Sequence, residues 1–309
     1  MRRLARWLSA AATLALAACA GLPPGEWGYP STDPLPQRAE RTDAPFHPQE
    51  VYQCGPAALA TALGSAGIRR SPEELTNEVY IPARQGSLQP EMLAAVRRSG
   101  AVAYRLAAQP RALLKELAAG HPVVVLQNLR FDWAPQWHYA VAVGYDLPAR
   151  QVVLRSGREK RLVMDLDDFD RSWAKSGRWA FVALPPERLP ATAVEADYVA
   201  AAVALERVAP AAAERAYRSA LGTWPNNLVA RIGFGNTAYR RGELDAAEAA
   251  FRQAAADHPE SGDAWNNLAQ VLHERGQRTA AREAAKRAVA IGGPRLPAYR
   301  RTLEGIPGG

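Results

Sequence analysis

A period of 34 residues in the last third of the chain limits what this sequence can fold into. Equivalent residues recur at this interval: Ala216, Ala250 and Ala284; Pro225 and Pro259; Gly242 and Gly276; Tyr239 and His273. The segments between them are rich in alanine, arginine and glutamate, which favour helix. A unit of this length holds two helices and buries its apolar face only against neighbouring units. We therefore predict a stack of helix pairs.

The period and the helix–turn–helix content resemble tetratricopeptide repeats. We predict two full repeats, at about residues 210–243 and 244–277, after a leading helix at residues 192–208. A composition change after a proline-containing segment places the start of this all-α domain near residue 187, so it covers residues 187–309. The resemblance implies a concave surface that binds a protein or peptide partner; a packing platform for the preceding domain is the alternative.

Charge and motif content argue against several function classes. The formal net charge of +7 falls to +4 (35 against 31) once the three arginines before residue 7 are left out, and no dense basic stripe favours nucleic-acid binding. Five histidines are scattered with no His-Glu-x-x-His pattern, so we expect no catalytic metal and no other cofactor. The Gly-x-Gly-x-x-Ala segment at residues 233–238 lies inside a predicted helix, so we interpret it as helix packing.

The first 18 residues have the pattern of an export signal: arginines, a short apolar run and then small residues. The apolar run is shorter than the roughly 20 residues that a membrane-spanning helix needs. It ends in Leu-Ala-Ala-Cys, which resembles the lipobox of bacterial lipoproteins. The resemblance implies cleavage before Cys19, lipid attachment to its thiol and a membrane-anchored, periplasm-facing protein, with Ala20 compatible with the outer membrane. A plain signal peptide with an incidental cysteine is the alternative.

Residues 19–45 are rich in proline and glycine and show neither a helical nor a strand period. Pro-rich segments are extended and act as spacers. We predict that this segment is a tether between the anchor and the folded part of the chain.

The only cysteine besides Cys19 precedes a helix-forming run. Cys54 is followed by Gly55, Pro56 and an Ala/Leu-rich segment that reaches residue 63, and proline suits the first turn of a helix. Unpaired N–H groups and the positive end of the helix dipole favour a thiolate at such a position. Cys54 is therefore a candidate nucleophile, and a buried structural cysteine is the alternative.

A histidine lies at the start of a predicted strand further along the chain. His138 opens a Val/Tyr-rich run, and further apolar runs at residues 123–126, 152–154 and 179–184 indicate strands on either side of it in sequence. A helix followed by an antiparallel sheet that carries a histidine is the α+β layout of papain-like proteins. We predict a domain of this class over residues 46–186.

The cysteine segment 49–63 and the histidine segment 138–146 resemble the bacteriocin-leader (double-glycine) cysteine peptidase family. The resemblance implies that Cys54 is the nucleophile and that His138 is the general base and acid. It also implies that Gln49 and the Cys54 backbone N–H form the oxyanion hole, with Gln53 as the alternative donor.

One position departs from this family's pattern. The family places an Asp after the strand that follows the histidine strand, whereas this chain has Ser156 there. We predict that Ser156 is the third member of the site, and Asp146 and Asp165 are alternatives. A third group serves mainly to fix the tautomer and orientation of the imidazole, so a weaker one is expected to slow the reaction.

These features favour a lipid-anchored cysteine peptidase that hydrolyses peptide bonds, with repeats that bind a protein or peptide. A peptidase-like module that holds a peptide without cleaving it is the second hypothesis. A third is another acyl transfer on the same Cys–His pair, such as an amidase or transpeptidase reaction.

Overall fold

A computed structural model describes Trp27, residues 35–48 and residues 53–307. Gln49 and Cys19 lie outside the described residues. The helices are α1 (Cys54–Ser65), α2 (Pro72–Val79), α3 (Gln89–Arg98), α4 (Pro110–Ala118), α5 (Leu166–Ala174), α6 (Glu195–Val203), α7 (Pro210–Thr223), α8 (Leu228–Arg240), α9 (Leu244–Asp257), α10 (Gly262–Glu274), α11 (Arg278–Ile291) and α12 (Leu296–Gly305). The strands are β1 (Arg38–Glu40), β2 (Tyr80–Ile81), β3 (Gly86–Ser87), β4 (Val102–Arg105), β5 (Val123–Asn128), β6 (Trp137–Asp146), β7 (Gln151–Ser156), β8 (Glu159–Asp165) and β9 (Ala180–Leu184).

The predicted fold class is confirmed: a helix and an antiparallel sheet come first, and helical repeats follow. The main sheet has the strand order β4-β9-β5-β6-β7-β8, and β1 adds to it by pairing with β6. Every residue of β5 and of β9 is buried, as expected for inner strands covered on both faces. In β8, which lies at the edge, no residue is fully buried.

Helix α1 is surrounded by protein because its sequence is apolar on every side. All residues from 55 to 63 are buried. They pack against one face of the sheet together with α2 and α3, through side chains such as Leu59, Leu63, Met92 and Val124. This packing fixes the first turn of α1, and with it Cys54, relative to the sheet.

Within the predicted tether over residues 19–45, the described residues Trp27 and 35–45 take part in the fold. Trp27 is buried, and its ring meets the ring of Phe169 edge-on at 6.2 Å. Strand β1 pairs with β6, with Ala39 opposite Tyr145 and Glu40 opposite Gly144. A Cβ on Gly144 would lie 2.5 Å from the backbone oxygen of Ala39. A three-residue strand is too short to show alternation, so the sequence pattern did not reveal it.

The predicted repeats are confirmed as helix pairs. Helices α7 and α8 fall in the first predicted repeat, and α9 and α10 fall in the second. Glycines let aromatic rings enter between helices: a Cβ on Gly235 would lie 2.5 Å from the ring of Phe251, and one on Gly262 would lie 2.6 Å from the ring of Tyr299. Gly233 similarly meets the ring of Tyr217. The Gly-rich segment at residues 233–238 is therefore helix packing, as predicted.

One hydrophobic cluster continues from the sheet into the first repeat helices. It includes Tyr104 and Leu114 from the sheet domain together with Tyr198, Tyr217 and Ala230. The later repeats have a separate cluster around Phe251, Leu268 and Leu272. The first helices of the all-α region are therefore packed as part of the sheet domain's core.

A buried carboxylate also binds the segment that connects the two regions through hydrogen bonds. Glu116 on α4 is fully buried and accepts hydrogen bonds from the backbone N–H of Ala191 at 3.2 Å and of Thr192 at 2.7 Å. It also accepts the Thr192 hydroxyl at 2.6 Å and lies 2.7 Å from Nδ1 of His121. Tyr104 donates to the carbonyl of Thr192 at 3.0 Å and accepts from the N–H of Val194.

Among the described residues, no helix combines the length and the apolar character that crossing a bilayer requires.

Candidate functional site

A cleft of roughly 1320 Å³ brings the two predicted reactive residues together, because Cys54 and His138 both line it. Its first wall is the segment 83–89, which contains β3 and the turn before it. Its second wall is built from residues 135–139, 157–158 and 175–176. Cys54 enters from the first turn of α1, and His138 enters from the second residue of β6.

The Cys54 thiol is partly buried at the start of its helix. Burial raises its pKa above the ordinary value of 9.0, although backbone N–H groups of Tyr139, Gly55 and Cys54 itself act in the opposite direction. The N–H of Tyr139 comes from the residue that follows His138, so the Cys54 sulfur lies next to the start of β6. The backbone donors at the helix start act in the predicted direction, but desolvation of the sulfur outweighs them.

The imidazole of His138 is held by Ser156. Its Nε2 lies 2.8 Å from the Ser156 hydroxyl oxygen, and Ser156 is the last residue of the neighbouring strand β7. In the tautomer with hydrogen on Nε2, the ring donates to Ser156 and leaves Nδ1 with a lone pair. Nδ1 is then the nitrogen available to the Cys54 thiol.

The pKa of His138 is lowered by burial. A serine hydroxyl carries no charge, so it does not offset the cost of a buried imidazolium as a carboxylate would. The free site therefore favours a neutral thiol beside a neutral imidazole.

The two alternative third members predicted from sequence are wrong. Asp146 lies eight residues beyond His138 on β6, or about 26 Å along an extended strand, and pairs with Arg38 at 2.6 Å. Asp165 caps α5, where its side chain accepts from the N–H groups of Asp167 and Asp168. Ser156 is the predicted group that the structure places on the imidazole.

Of the two predicted oxyanion donors, only Gln53 is described. It occupies the N-cap position of α1 without a side-chain hydrogen bond to the helix end. Gln49 lies outside the described residues, so its role stays a prediction.

The contact between the start of α1 and β3 was not predicted from the sequence. A Cβ on Gly55 would collide with the hydroxyl oxygen of Ser87 and lie 2.7 Å from its Cβ. The Tyr139 hydroxyl donates to the carbonyl of Ser87 at 3.2 Å, while the Ser87 hydroxyl is buried without a hydrogen-bond partner among the described residues. The glycine after Cys54 was visible in the sequence, but the strand that requires it is only two residues long.

Comparisons with known proteins agree with this architecture. Residues 33–181 match the model of the Peptidase_C39 like family, and residues 232–295 match a tetratricopeptide repeat model. The predicted resemblance to double-glycine peptidases and to tetratricopeptide repeats is confirmed at this level. No curated protein sequence matches the chain.

Two solved structures are each similar to about half of the chain. One is a C39-like peptidase from Bacillus anthracis, with 18% identity and a TM-score of 0.42, covering 48% of this chain and 97% of that chain. The other is the peptidase domain of Streptococcus ComA, a bifunctional ABC transporter involved in a quorum-sensing pathway. It has 20% identity and a TM-score of 0.38, covering 46% of this chain and 98% of that chain.

Proposed function

We propose that this chain, whose residues 33–181 form a Peptidase_C39-like domain ahead of tetratricopeptide repeats, is a cysteine peptidase that hydrolyses peptide bonds. The observation that carries the proposal is the shared cleft of Cys54 and His138, in which Ser156 holds Nε2 of the imidazole. This arrangement leaves one ring nitrogen for the thiol and one for an orienting group, as nucleophilic catalysis requires.

The reaction starts from the neutral pair. Nδ1 of His138 takes the proton of the Cys54 thiol as the sulfur attacks the substrate carbonyl carbon, so that an S–C bond forms and an imidazolium results. The Cys54 backbone N–H and the Gln49 side chain, the two predicted oxyanion donors, stabilise the negative oxygen of the tetrahedral intermediate. The imidazolium then protonates the leaving amine as the C–N bond breaks. Water, deprotonated by His138, hydrolyses the thioester and restores the thiol.

Ser156 sets the expected rate. It orients the ring, but it does not neutralise the imidazolium that forms during the reaction. We therefore expect a slower enzyme than one with a carboxylate in this position.

The second candidate is a peptide-binding module without turnover. The neutral resting pair, with burial raising the pKa of the thiol and lowering that of the imidazole, favours this candidate. The cleft would still accept a peptide, and the repeats would serve as a scaffold.

The remaining parts of the proposal concern location and partners. Lipid attachment to Cys19 would hold the protein at the periplasmic side of a bacterial membrane, in agreement with the export pattern of residues 1–18. The repeats would bind a protein or peptide, because stacked helix pairs offer an extended concave surface.

Cleavage of a peptide library tests the function. The probe is a mixture of peptides prepared from a bacterial proteome, and new N-termini are counted by mass spectrometry. We expect wild-type protein to produce them and Cys54→Ala and His138→Ala to reduce the rate by about 10³-fold or more. His258→Ala, which changes a histidine in the repeats, is the control and should cleave normally.

The same library separates the two candidates. If wild-type protein creates no new N-termini but Cys54→Ala protein retains particular peptides, the peptidase proposal fails and the binding module replaces it.

A further inference from the structure

The charges around the cleft point to the class of peptide that it accepts. Three cationic side chains line the cleft: Arg84, Arg158 and Lys175. They come from three separate segments, namely the turn before β3, the β7–β8 turn and the residue after α5. No Asp or Glu belongs to the described lining. The chain as a whole has 38 basic and 31 acidic residues, so this one-sided lining is a local feature.

The two arginines hold no ion pair with any residue that the structure describes, and both are exposed. Lys175 has two partners outside the cleft lining. Its ammonium donates to the carbonyl of Arg130 at 2.6 Å and lies 3.5 Å from a carboxylate oxygen of Asp132, whose side chain is 81% exposed. The acidic neighbours Asp132 and Glu159 both lie outside the cleft lining. Among the described residues, Arg84 and Arg158 therefore present positive charge without an ionic partner to a ligand in the cleft.

We infer that the cleft selects a peptide segment that carries an acidic side chain close to the bond presented to Cys54, with Arg84 and Arg158 as the residues that determine this preference. The inference extends the proposed peptidase function and rests on it, because the selected peptide is a substrate only if the protein cleaves peptides. A cleft lined by charges of one sign and bounded by protein concentrates ligands of the opposite sign. Arg84 and Arg158 line the same cleft from different segments of the chain, so a peptide that fills the cleft meets both cations.

The aromatic side chains near the cleft are compatible with such a peptide. Trp137 lines the second wall and is 49% exposed, and the adjoining loop exposes Phe131 and Trp133, whose rings stack at 5.6 Å. These rings provide apolar contact area in and beside the cleft for the other side chains of the peptide.

The first test measures cleft charge without any substrate. The full chain carries Cys19→Ser, so that Cys54 is its one thiol. Alkylation rates with iodoacetate, an anion, and iodoacetamide, which is neutral, are measured at one pH. The ratio of the iodoacetate rate to the iodoacetamide rate is independent of the thiolate fraction. We expect the ratio to exceed that of a free cysteine peptide at low salt and to fall towards it at 0.5 M salt.

Arg84→Gln and Arg158→Gln should each lower this ratio by about 2- to 5-fold, the range expected for an exposed charge pair. Arg69→Gln is the matched control. Arg69 is also exposed, but it follows the far end of α1, a helix about 18 Å long from its 12 residues. An unchanged ratio in both cleft variants, or an equal decrease in Arg69→Gln, would overturn the inference.

The second test uses binding and is independent of cleavage. Cys54→Ala protein is titrated with labelled nine-residue peptides that differ only in a central Glu, Gln or Lys, and fluorescence anisotropy gives Kd. We expect the Glu peptide to bind about 10-fold more tightly than the Lys peptide at low salt, with the difference reduced in Arg158→Gln. Equal affinities would overturn the acidic preference even if the wild type cleaves peptides. A Glu preference without cleavage would overturn only the peptidase function.

Discussion

The sheet domain and the helical repeats are packed by different kinds of contact. The sheet domain's core joins large side chains from distant segments, such as Trp27, Phe169 and Trp173. The later repeats are filled mainly by alanines and by rings that enter opposite glycines, as Phe251 does at Gly235. Cores of the first kind depend on long-range pairing, whereas repeats depend on their neighbours. A destabilising substitution in the later repeats should therefore affect those repeats alone. A substitution in the hydrophobic cluster that the sheet domain shares with the first repeat helices should affect both regions.

The largest expected effect comes from truncating one ring in each region. Trp173→Ala and Phe251→Ala each remove a buried ring and should lower the free energy of unfolding by about 3–5 kcal/mol. Trp173 belongs to the cluster shared with the first repeat helices, so its loss should reduce hydrogen-exchange protection in both regions. Phe251→Ala should reduce it in the repeats alone. Equal loss of protection in the sheet domain for both variants would contradict the comparison.

The connection between the regions is tested at Glu116. Glu116→Gln replaces a buried acceptor of four hydrogen-bonding groups with an amide that brings N–H groups to the same place. We expect a loss of about 1.5–3 kcal/mol and a calorimetric transition that splits into two. Glu187→Gln changes an exposed ion pair with Arg215 and serves as the control. A single unshifted transition for Glu116→Gln would show that the shared apolar cluster alone joins the regions.

Two glycine substitutions sharpen the description of the repeats. Gly235→Ala places a methyl group 2.5 Å from the Phe251 ring and should destabilise the protein by about 1–3 kcal/mol. Gly222→Ala places a methyl group in open space on helix α7, where replacing glycine stabilises by up to about 1 kcal/mol. Chemical denaturation measures both. Changes of the same sign would contradict the ring-into-glycine packing.

The smallest effect concerns pH and the sheet domain only. Burial lowers the pKa of His138 from its ordinary value of 6.5. As pH falls below 6.5, the unfolded chain therefore binds a proton before the native chain does. The free energy of unfolding should therefore decrease as the pH falls towards the native pKa of His138. The slope corresponds to the uptake of less than one proton on unfolding. His138→Gln should remove this part of the slope.

Ser156→Asp is the matched control for that pH measurement. A carboxylate beside Nε2 stabilises the imidazolium, so the native pKa should rise and the acid slope should shrink. A steeper acid slope in Ser156→Asp would show that the contact between Nε2 and Ser156 does not control the ionisation of His138.

The parts of the fold that the sequence predicted are those with a local or periodic signal. The 34-residue period placed the helices of the repeats, and apolar runs placed β5, β6, β7 and β9. Strand β8 was not predicted because its charged and apolar residues lie at a sheet edge, where burial imposes little pattern. Strand β1 depends on a close approach to Gly144 that only the folded chain shows.

The same limit applies to the site. Motifs identified Cys54, His138 and Ser156 because each lies at the start or end of a recognisable element. The raised pKa of the thiol was not predicted, because the helix terminus was visible in the sequence and the burial of the sulfur was not. The cations Arg84, Arg158 and Lys175 were not identified as a group, since they come from segments that only the fold brings to one cleft.

The hydrophobic cluster that runs from the sheet into helices α6, α7 and α8 affects which segments of a bound partner can reach the cleft. Because these helices share a core with the sheet domain, the start of the repeat array has a fixed orientation relative to the cleft. A partner bound to the repeats is then confined to a limited volume around that cleft, so its local concentration no longer depends on its concentration in solution. Segments of the partner that reach the cleft are favoured by this confinement, and segments that do not reach it are excluded however well they fit.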